Sequence, residues 1–358
     1  MIKAVICWAG VSGYMAACWR ALAARQDIDL HIIALPSAVP FADDLTADLP
    51  CRLLAEHQQN DFNLIRAQVA KHDPRVIVIN GWHRPPYVQL TRDPSLARAR
   101  FIMAMDTPWQ GTWRQRVAPL ILRRLIRRLS AVVVAGDRAA NYAQRLGIPT
   151  SQIHRGMYGF DDQPLTHLHA KREALPGGWP RRFLYVGRYV HTKGIDLLID
   201  AYRQYRAAVS NPWSLTCCGA GDLAHLLRDE SGVTDRRFIQ PADLPGILTE
   251  HGAFVIASRF EPWGVVIAEA AAAGLPILCT DACGAALDIV QHDHNGRIIK
   301  SNDAAALAAA LQWIHDRHAD LPQIGARSRP IAAAFSADAW SQQWAQMFQN
   351  VIQDPPAP

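Results

Sequence analysis

The sequence predicts an α/β chain of two Rossmann-like domains whose parallel sheets face a central cleft. Three observations predict it. Short apolar runs rich in β-branched residues recur along the chain, as strands buried on both faces require. Helix-length segments separate them, which implies crossover connections and a parallel sheet covered on both sides. The alternation runs twice. It is interrupted over residues 154–182, where Gly156, Gly159, Asp161, Asp162 and Pro176-Gly177-Gly178 break the rhythm and read as a domain boundary.

In order, the first half offers strands over residues 3–8, 30–35, 75–80, 100–104 and 131–135. Helices are expected over 14–25, 61–72, 113–129 and 137–146, and residues 36–60 read mostly as loop. The second half offers strands over 183–186, 214–218, 237–240, 253–257, 275–279 and 297–299. Its helices begin near Ile195, Asp222, Asp243, Gly264, Ala285 and Asp303. An amphipathic helix capped by Ser336 follows over 336–352, and the tail 354–358 is expected to be disordered. The predicted domains are therefore 1–163 and 164–335, with the 336–352 helix packing back on the first.

A chain of 358 residues with 50% hydrophobic content can bury two cores of ordinary size. The net charge of +5 suits anionic small molecules or an acidic membrane surface as well as nucleic acid, so it decides little alone. Seven dispersed cysteines without a CxxC pair or a zinc spacing read as reduced thiols of a cytosolic protein. The apolar run after Met1-Ile2-Lys3 is too short for a signal peptide, and no stretch of about 18 apolar residues predicts a membrane span.

The chemistry concentrates in residues 253–280, AFVIASRFEPWGVVIAEAAAAGLPILCT. The pattern is strand, polar loop, helix, strand, and two carboxylates interrupt it. Glu261 stands in the loop at the strand's carboxyl end, where ligands bind in open α/β sheets. Glu269 stands inside an otherwise apolar helix, where a carboxylate costs several kcal/mol unless it is paired or grips a ligand. Upstream, a strand ends at Gly187-Arg188, and Lys193-Gly194 opens the next helix. A guanidinium and an ammonium beside helix N-termini make a diphosphate site. The competing reading is two solvated loop charges, and the two glutamates weigh against it.

With Gly187-Arg188, Lys193-Gly194, Gly219-Ala220-Gly221, the Glu-x7-Glu pair Glu261/Glu269 and Asn295-Gly296 in this order, nearly the whole chain resembles the GT-B glycosyltransferases of family 4. These are the retaining nucleotide-sugar enzymes also called glycosyl transferases group 1. The resemblance implies a GT-B fold and sugar transfer from a nucleotide diphosphate donor to a hydroxyl acceptor by front-face attack. Arg188 and Lys193 would hold the diphosphate, and Glu269 the ribose hydroxyls. Glu261 would touch the donor sugar near its reacting carbon. Backbone N–H groups of Trp263, Gly264 and Val265 would face sugar and phosphates, and the strand end Phe238-Ile239 would lie against the base. Gly10 and Gly13 would let the first domain approach the diphosphate. UDP is the favoured donor nucleotide, with GDP next. The acceptor would be a glycan, a lipid-linked or a small-molecule hydroxyl bound to the first domain, and no nucleic acid partner is implied.

Physical reasoning agrees. Charge builds on the leaving phosphate and, oppositely, on the sugar ring, and fixed cations, helix dipoles and a nearby carboxylate stabilise the two. Two cations can replace a metal, so no metal and no cofactor are expected. Asp27-Ile28-Asp29 matches DxD by letters alone, and the pairs His292/His294 and His167/His169 read as solvated.

The chain departs from the family pattern in two places. Asp106 lies where members commonly carry a histidine near the anomeric carbon; it has either a polar role at the reacting centre or a turn-capping one. Cys283-Gly284-Ala285-Ala286 replaces the usual Gly-Gly, with Asp288 where glutamate is common. His83 and Trp109 are acceptor candidates, with Trp82 and Trp113 on similar loops. The 113–129 helix carries Arg114, Arg116, Arg123, Arg124, Arg127 and Arg128. It reads either as a core-packed helix with a solvated basic face or as a contact for anionic lipid at the inner membrane face or a phosphorylated acceptor. Competing classes are a GT-B epimerase, hydrolase or phosphorylase, and a non-catalytic nucleotide-sugar-binding subunit. A dinucleotide dehydrogenase is disfavoured because Gly10-Val11-Ser12-Gly13 is not GxGxxG.

Overall fold

The computed structural model describes residues 1–37, 39–41 and 43–353. The expectation for 354–358 lies outside them. The chain divides into two compact units: Met1–Phe160 joined by the chain from Phe335 onward, and Asp161–Ala334.

The first unit holds a seven-stranded sheet. Its strands are β1 (Ile2–Trp8), β2 (Ile28–Ala34), β3 (Cys51–Leu53), β4 (Val76–Asn80), β5 (Arg100–Met105), β6 (Leu129–Val134) and β7 (Ile153–Arg155). Their spatial order is β3-β2-β1-β4-β5-β6-β7. All pairs are parallel, with Ile2 opposite Ile28 and Ala4 opposite Val76. β1, β4, β5 and β6 are buried nearly throughout, which is why they read as continuous Val/Ile-rich runs.

The second unit holds β8 (Arg182–Val186), β9 (Ser214–Cys218), β10 (Val233–Arg237), β11 (Ala253–Ile256), β12 (Ile277–Thr280) and β13 (Gly296–Ile299). Their order, β10-β9-β8-β11-β12-β13, is again parallel throughout. In each unit the direction of winding reverses once, between β1 and β4 and between β8 and β11. Such switch points open a crevice at the carboxyl ends of the strands.

The structure departs from expectation where burial is weak. β3 and β7 are three-residue edge strands hidden in stretches that read as loop. β10 spans 233–237, not 237–240, because this edge strand of Val-Thr-Asp-Arg-Arg is largely exposed and carries no apolar run. β12 begins at Ile277, after Pro276, which cannot donate to a ladder.

The expected 113–129 helix is two helices, Trp113–Ile121 and Arg123–Ile126, and Leu129 already belongs to β6. Pro119 lies inside the first and removes a helical donor.

The last helix, Ala337–Gln353, is capped by Ser336, whose hydroxyl accepts from the Ala339 N–H at 3.2 Å. It packs on the helix Gly13–Ala23 of the first unit. Trp340 and Trp344 are buried and stacked at 4.3 Å, and their indole N–H groups donate to the carbonyls of Met157 and Gly156. Among the described residues no helix is long and apolar enough to cross a membrane.

Candidate functional site

In the second unit, β8 runs into Gly187-Arg188, one 3-10 turn over His191–Lys193, and the helix Ile195–Ala208. Tyr185, fully buried at the end of β8, ties this loop from beneath. Its hydroxyl lies 3.1 Å from the Arg188 carbonyl oxygen and 3.4 Å from that of Lys193. Burial holds the phenol well above its ordinary pKa, so it stays a neutral donor. Arg188 is exposed, and its guanidinium has no partner among the described residues. Gly194 has φ 66°, and a Cβ there would lie 1.9 Å from the Ala257 carbonyl oxygen. Only glycine lets the β8 loop close against the end of β11.

That closure brings Lys193 to Glu261. The ammonium donates to Oε2 of Glu261, and the two side chains are only 15% and 13% exposed. Glu261 is held through its backbone, with its N–H on Ala282 O at 3.3 Å and its carbonyl accepting from Gly284 at 3.1 Å. The loop after β11 is thereby pinned to the loop after β12. A Cβ on Gly264 would come 3.1 Å from Cγ of Glu261, so the carboxylate arm lies across the start of the helix Val265–Ala272. The N–H groups of Gly264 and Val265 have no acceptor among the described residues and point the positive end of this helix outward. Trp263 is buried and donates its indole N–H to Oδ2 of Asp288 at 2.6 Å. Asp288 thus fixes the Trp263 indole.

Glu269 sits one and a half turns along the same helix, largely buried, with no hydrogen-bond or ion-pair partner among the described residues. Burial, with a smaller push from Asp161, raises its pKa to about 7. An apolar helix carrying such a group is held in place at its other end. The fully buried Arg172 donates to the carbonyls of Ala273 at 3.0 Å and Leu248 at 2.7 Å. Burial lowers the Arg172 guanidinium to about 9.

Ile239 lies two residues beyond the end of β10, in the loop, so Phe238-Ile239 is not a strand end. Gly219-Ala220-Gly221 forms the turn after β9, and Ala220 accepts from the Tyr189 N–H at 2.8 Å.

The first unit carries a cavity of about 330 Å³ at the carboxyl ends of β1, β4 and β5. Gly10, His83 and Asp106 line it together with Tyr14, Trp82 and Tyr158. Two candidates separated by 23 positions, His83 and Asp106, thus line one cavity. Tyr158 donates to Oδ2 of Asp106 at 2.9 Å, and Tyr14 packs edge-on against Tyr158 at 5.6 Å. Asp106 is oriented by this hydroxyl. Burial and the neighbouring Arg84 lower the pKa of His83, with Asp106 opposing them, so the imidazole is neutral near pH 7. No motif or spacing marks Tyr158, which follows the boundary glycine Gly156.

Gly13 begins a helix and does not line the cavity. Trp109 does not line it either. It packs on Tyr142 at 5.6 Å with Arg145 over its ring at 4.7 Å.

Among the other candidates, Asp27 is committed to Arg25 at 2.9 Å and His169 to the Pro322 carbonyl at 2.8 Å. Among the described residues no group of three or more His, Cys, Asp or Glu could hold a metal ion.

Residues 170–329, which contain Arg188, Lys193, Glu261 and Glu269, match the family model "Glycosyl transferases group 1". The chain is 28% identical over 218 residues to the lipopolysaccharide core biosynthesis mannosyltransferase LpsB of Rhizobium meliloti, covering 57% of this chain and 60% of that protein. It is 25% identical over 244 residues to WcaL of Salmonella typhimurium, covering 64% and 59% respectively. The chain therefore spans about 60% of the length of these curated relatives. In fold it matches HepE of Anabaena, solved in complex with UDP, with a TM-score of 0.76, 19% identity and coverage of 98% and 100%. The two parallel-sheet Rossmann-like units are those of the GT-B class.

Proposed function

We propose that this chain is a retaining glycosyltransferase that moves a sugar from a nucleoside diphosphate donor, a UDP-sugar in the first instance, to a hydroxyl acceptor without a metal ion. One observation carries the reading: the unpartnered, desolvated Glu269 stands on the same helix whose first turn lies under the Lys193–Glu261 pair. A carboxylate in that state gains by accepting hydrogen bonds from vicinal hydroxyls such as those of ribose. Arg188 and the N–H groups of Gly264 and Val265 offer the diphosphate unpaired donors, and Lys193 can exchange part of its contact with Glu261 for a phosphate oxygen. Glu261 is then left beside the sugar, where positive charge grows as the anomeric bond breaks.

In the transfer the bond from the anomeric carbon to the β-phosphate oxygen breaks, and the acceptor oxygen bonds that carbon on the same face. The acceptor proton passes to the leaving phosphate, so no separate base is required. The donor belongs to the second unit and the acceptor to the first, where His83 and Asp106 present a neutral imidazole and a carboxylate to its hydroxyls. The reaction is assigned to the cytosol.

Support comes from the group 1 match over the donor residues and from the relatives' sugar-transfer names. The test is calorimetry with UDP and GDP on the parent chain and on Glu269→Gln and Arg188→Ala. Loss of tenfold or more in affinity is expected for each, about 1.4 kcal/mol. Unchanged affinity in both variants overturns the site. Transfer in EDTA, with NMR of the product's anomeric proton, tests metal independence and retention.

A further inference from the structure

The sequence left two readings for the arginine-rich segment, and the structure separates them. In the helix Trp113–Ile121 the inward face is Gln115 and Ala118, continued by Leu125 beyond the break. A second apolar stripe points away from the core. Trp113 is 70% exposed, Leu120 78% and Ile121 73%, and among the described residues only Met1 is another large hydrophobic side chain exposed to this degree. Positions 113 and 120 are seven apart and so share one helix face, with Ile121 beside them.

Charge flanks this stripe on both sides. Arg114, Arg116, Arg123, Arg124 and Arg127 are exposed, and none has a carboxylate partner among the described residues. No aspartate or glutamate occurs between Asp106 and Asp137. A solvated basic face would not need its largest apolar side chains on the outside. A protein partner of ordinary composition would not ask for five unpaired arginines. A surface that is apolar beneath and negative above asks for both, with tryptophan at the boundary.

We infer that the segment from Trp113 to Arg127 is a docking surface for an anionic lipid bilayer. It inserts Trp113, Leu120 and Ile121 to the depth of the headgroups while the arginines hold lipid phosphates. This surface is independent of the transfer reaction proposed above, and its test reads binding alone.

Full-length protein is sedimented with vesicles of phosphatidylcholine and with vesicles containing a third phosphatidylglycerol. Binding is expected only to the anionic vesicles and should fall steeply between 0.1 and 0.5 M salt. Arg123→Gln with Arg124→Gln should weaken partitioning by roughly fivefold per arginine. Trp113→Ala with Leu120→Ala and Ile121→Ala should abolish it, with a blue shift of tryptophan fluorescence on vesicles lost in parallel. All five side chains are exposed, so thermal unfolding of both variants should match the parent. Failure to bind anionic vesicles, equal binding to neutral ones, or undiminished binding by the triple variant overturns the inference. So does a parent dimer that the triple variant converts to monomer without vesicle binding, which would assign the stripe to a second copy of the chain.

Discussion

The ammonium of Lys193 donates to the carboxylate of Glu261 across the carboxyl ends of β8 and β11, and both side chains are nearly buried. A cation suited to phosphate and a carboxylate suited to a sugar thus neutralise each other. Removing one partner leaves the other desolvated and alone. Lys193→Ala should destabilise the protein by about 1–3 kcal/mol, less than a wholly buried pair because some solvent remains. Lys193→Ala combined with Glu261→Gln should recover part of that loss. Urea denaturation of the four proteins of the cycle measures the coupling, and simple additivity would count against a shared interaction.

Glu269 makes stability pH-dependent in a direction opposite to an ordinary carboxylate. Its folded pKa of about 7 lies above the ordinary carboxyl value of 4.5. Between these values the folded state holds more protons than the unfolded one, so stability falls as pH rises from about 4.5 through 7 and then levels. Glu269→Gln should remove this slope and be more stable than the parent at pH 8 by about 1–3 kcal/mol. Unfolding midpoints at pH 5, 6, 7 and 8 decide it.

A ligand hydroxyl bonded to the Glu269 carboxylate would favour its ionised form. Nucleoside diphosphate binding at pH 6.5 should therefore release a fraction of a proton. Calorimetry in two buffers of different ionisation enthalpy reads this directly, and the release should vanish in Glu269→Gln.

The hydroxyl of Tyr158 orients Asp106 within the first unit's cavity. Tyr158→Phe keeps the ring against Tyr14 and deletes one hydrogen bond, a loss of about 1 kcal/mol. Acceptor KM should rise or kcat fall several-fold, while UDP affinity stays unchanged. A parallel loss of UDP affinity would point to general disruption instead.

Gly194→Ala should cost about 3 kcal/mol or more, because a left-handed backbone and an oxygen 1.9 Å from the new carbon act together. Gly177→Ala, which meets nothing within 4 Å, is the neutral comparison in the same thermal melt.

The strands that could be read from the sequence are those buried on both faces. β1, β4, β5, β6, β8 and β11 announce themselves because their central residues are apolar and buried, with polar residues only towards their ends. β3, β7 and β10 do not, because an edge strand is half solvent and its residues look like loop. The same rule divides the site residues. Arg188, Lys193, Glu261 and Glu269 stand out as polar groups in apolar or glycine-marked contexts. The Lys193–Glu261 pairing, separated by 68 positions, depends on how the β8 loop folds against β11 and is invisible in one dimension. Tyr185 and Tyr158 were missed for a related reason. A tyrosine's ring reads as core, and only the position of its hydroxyl gives it a role. For Trp109 the packing under Arg145, 36 positions downstream, is likewise invisible in one dimension.

The return of the last helix to the first unit has a consequence for biosynthesis. Met157 and Gly156 wait for the indoles of Trp340 and Trp344, more than 180 positions downstream. On the ribosome the first unit emerges first but stays open along that flank until the whole second unit has been made. Units usually mature in the order of translation. Here the later-made unit can finish first, and the earlier one is sealed last, so nascent chains stalled before Trp340 should be the ones that most need chaperones.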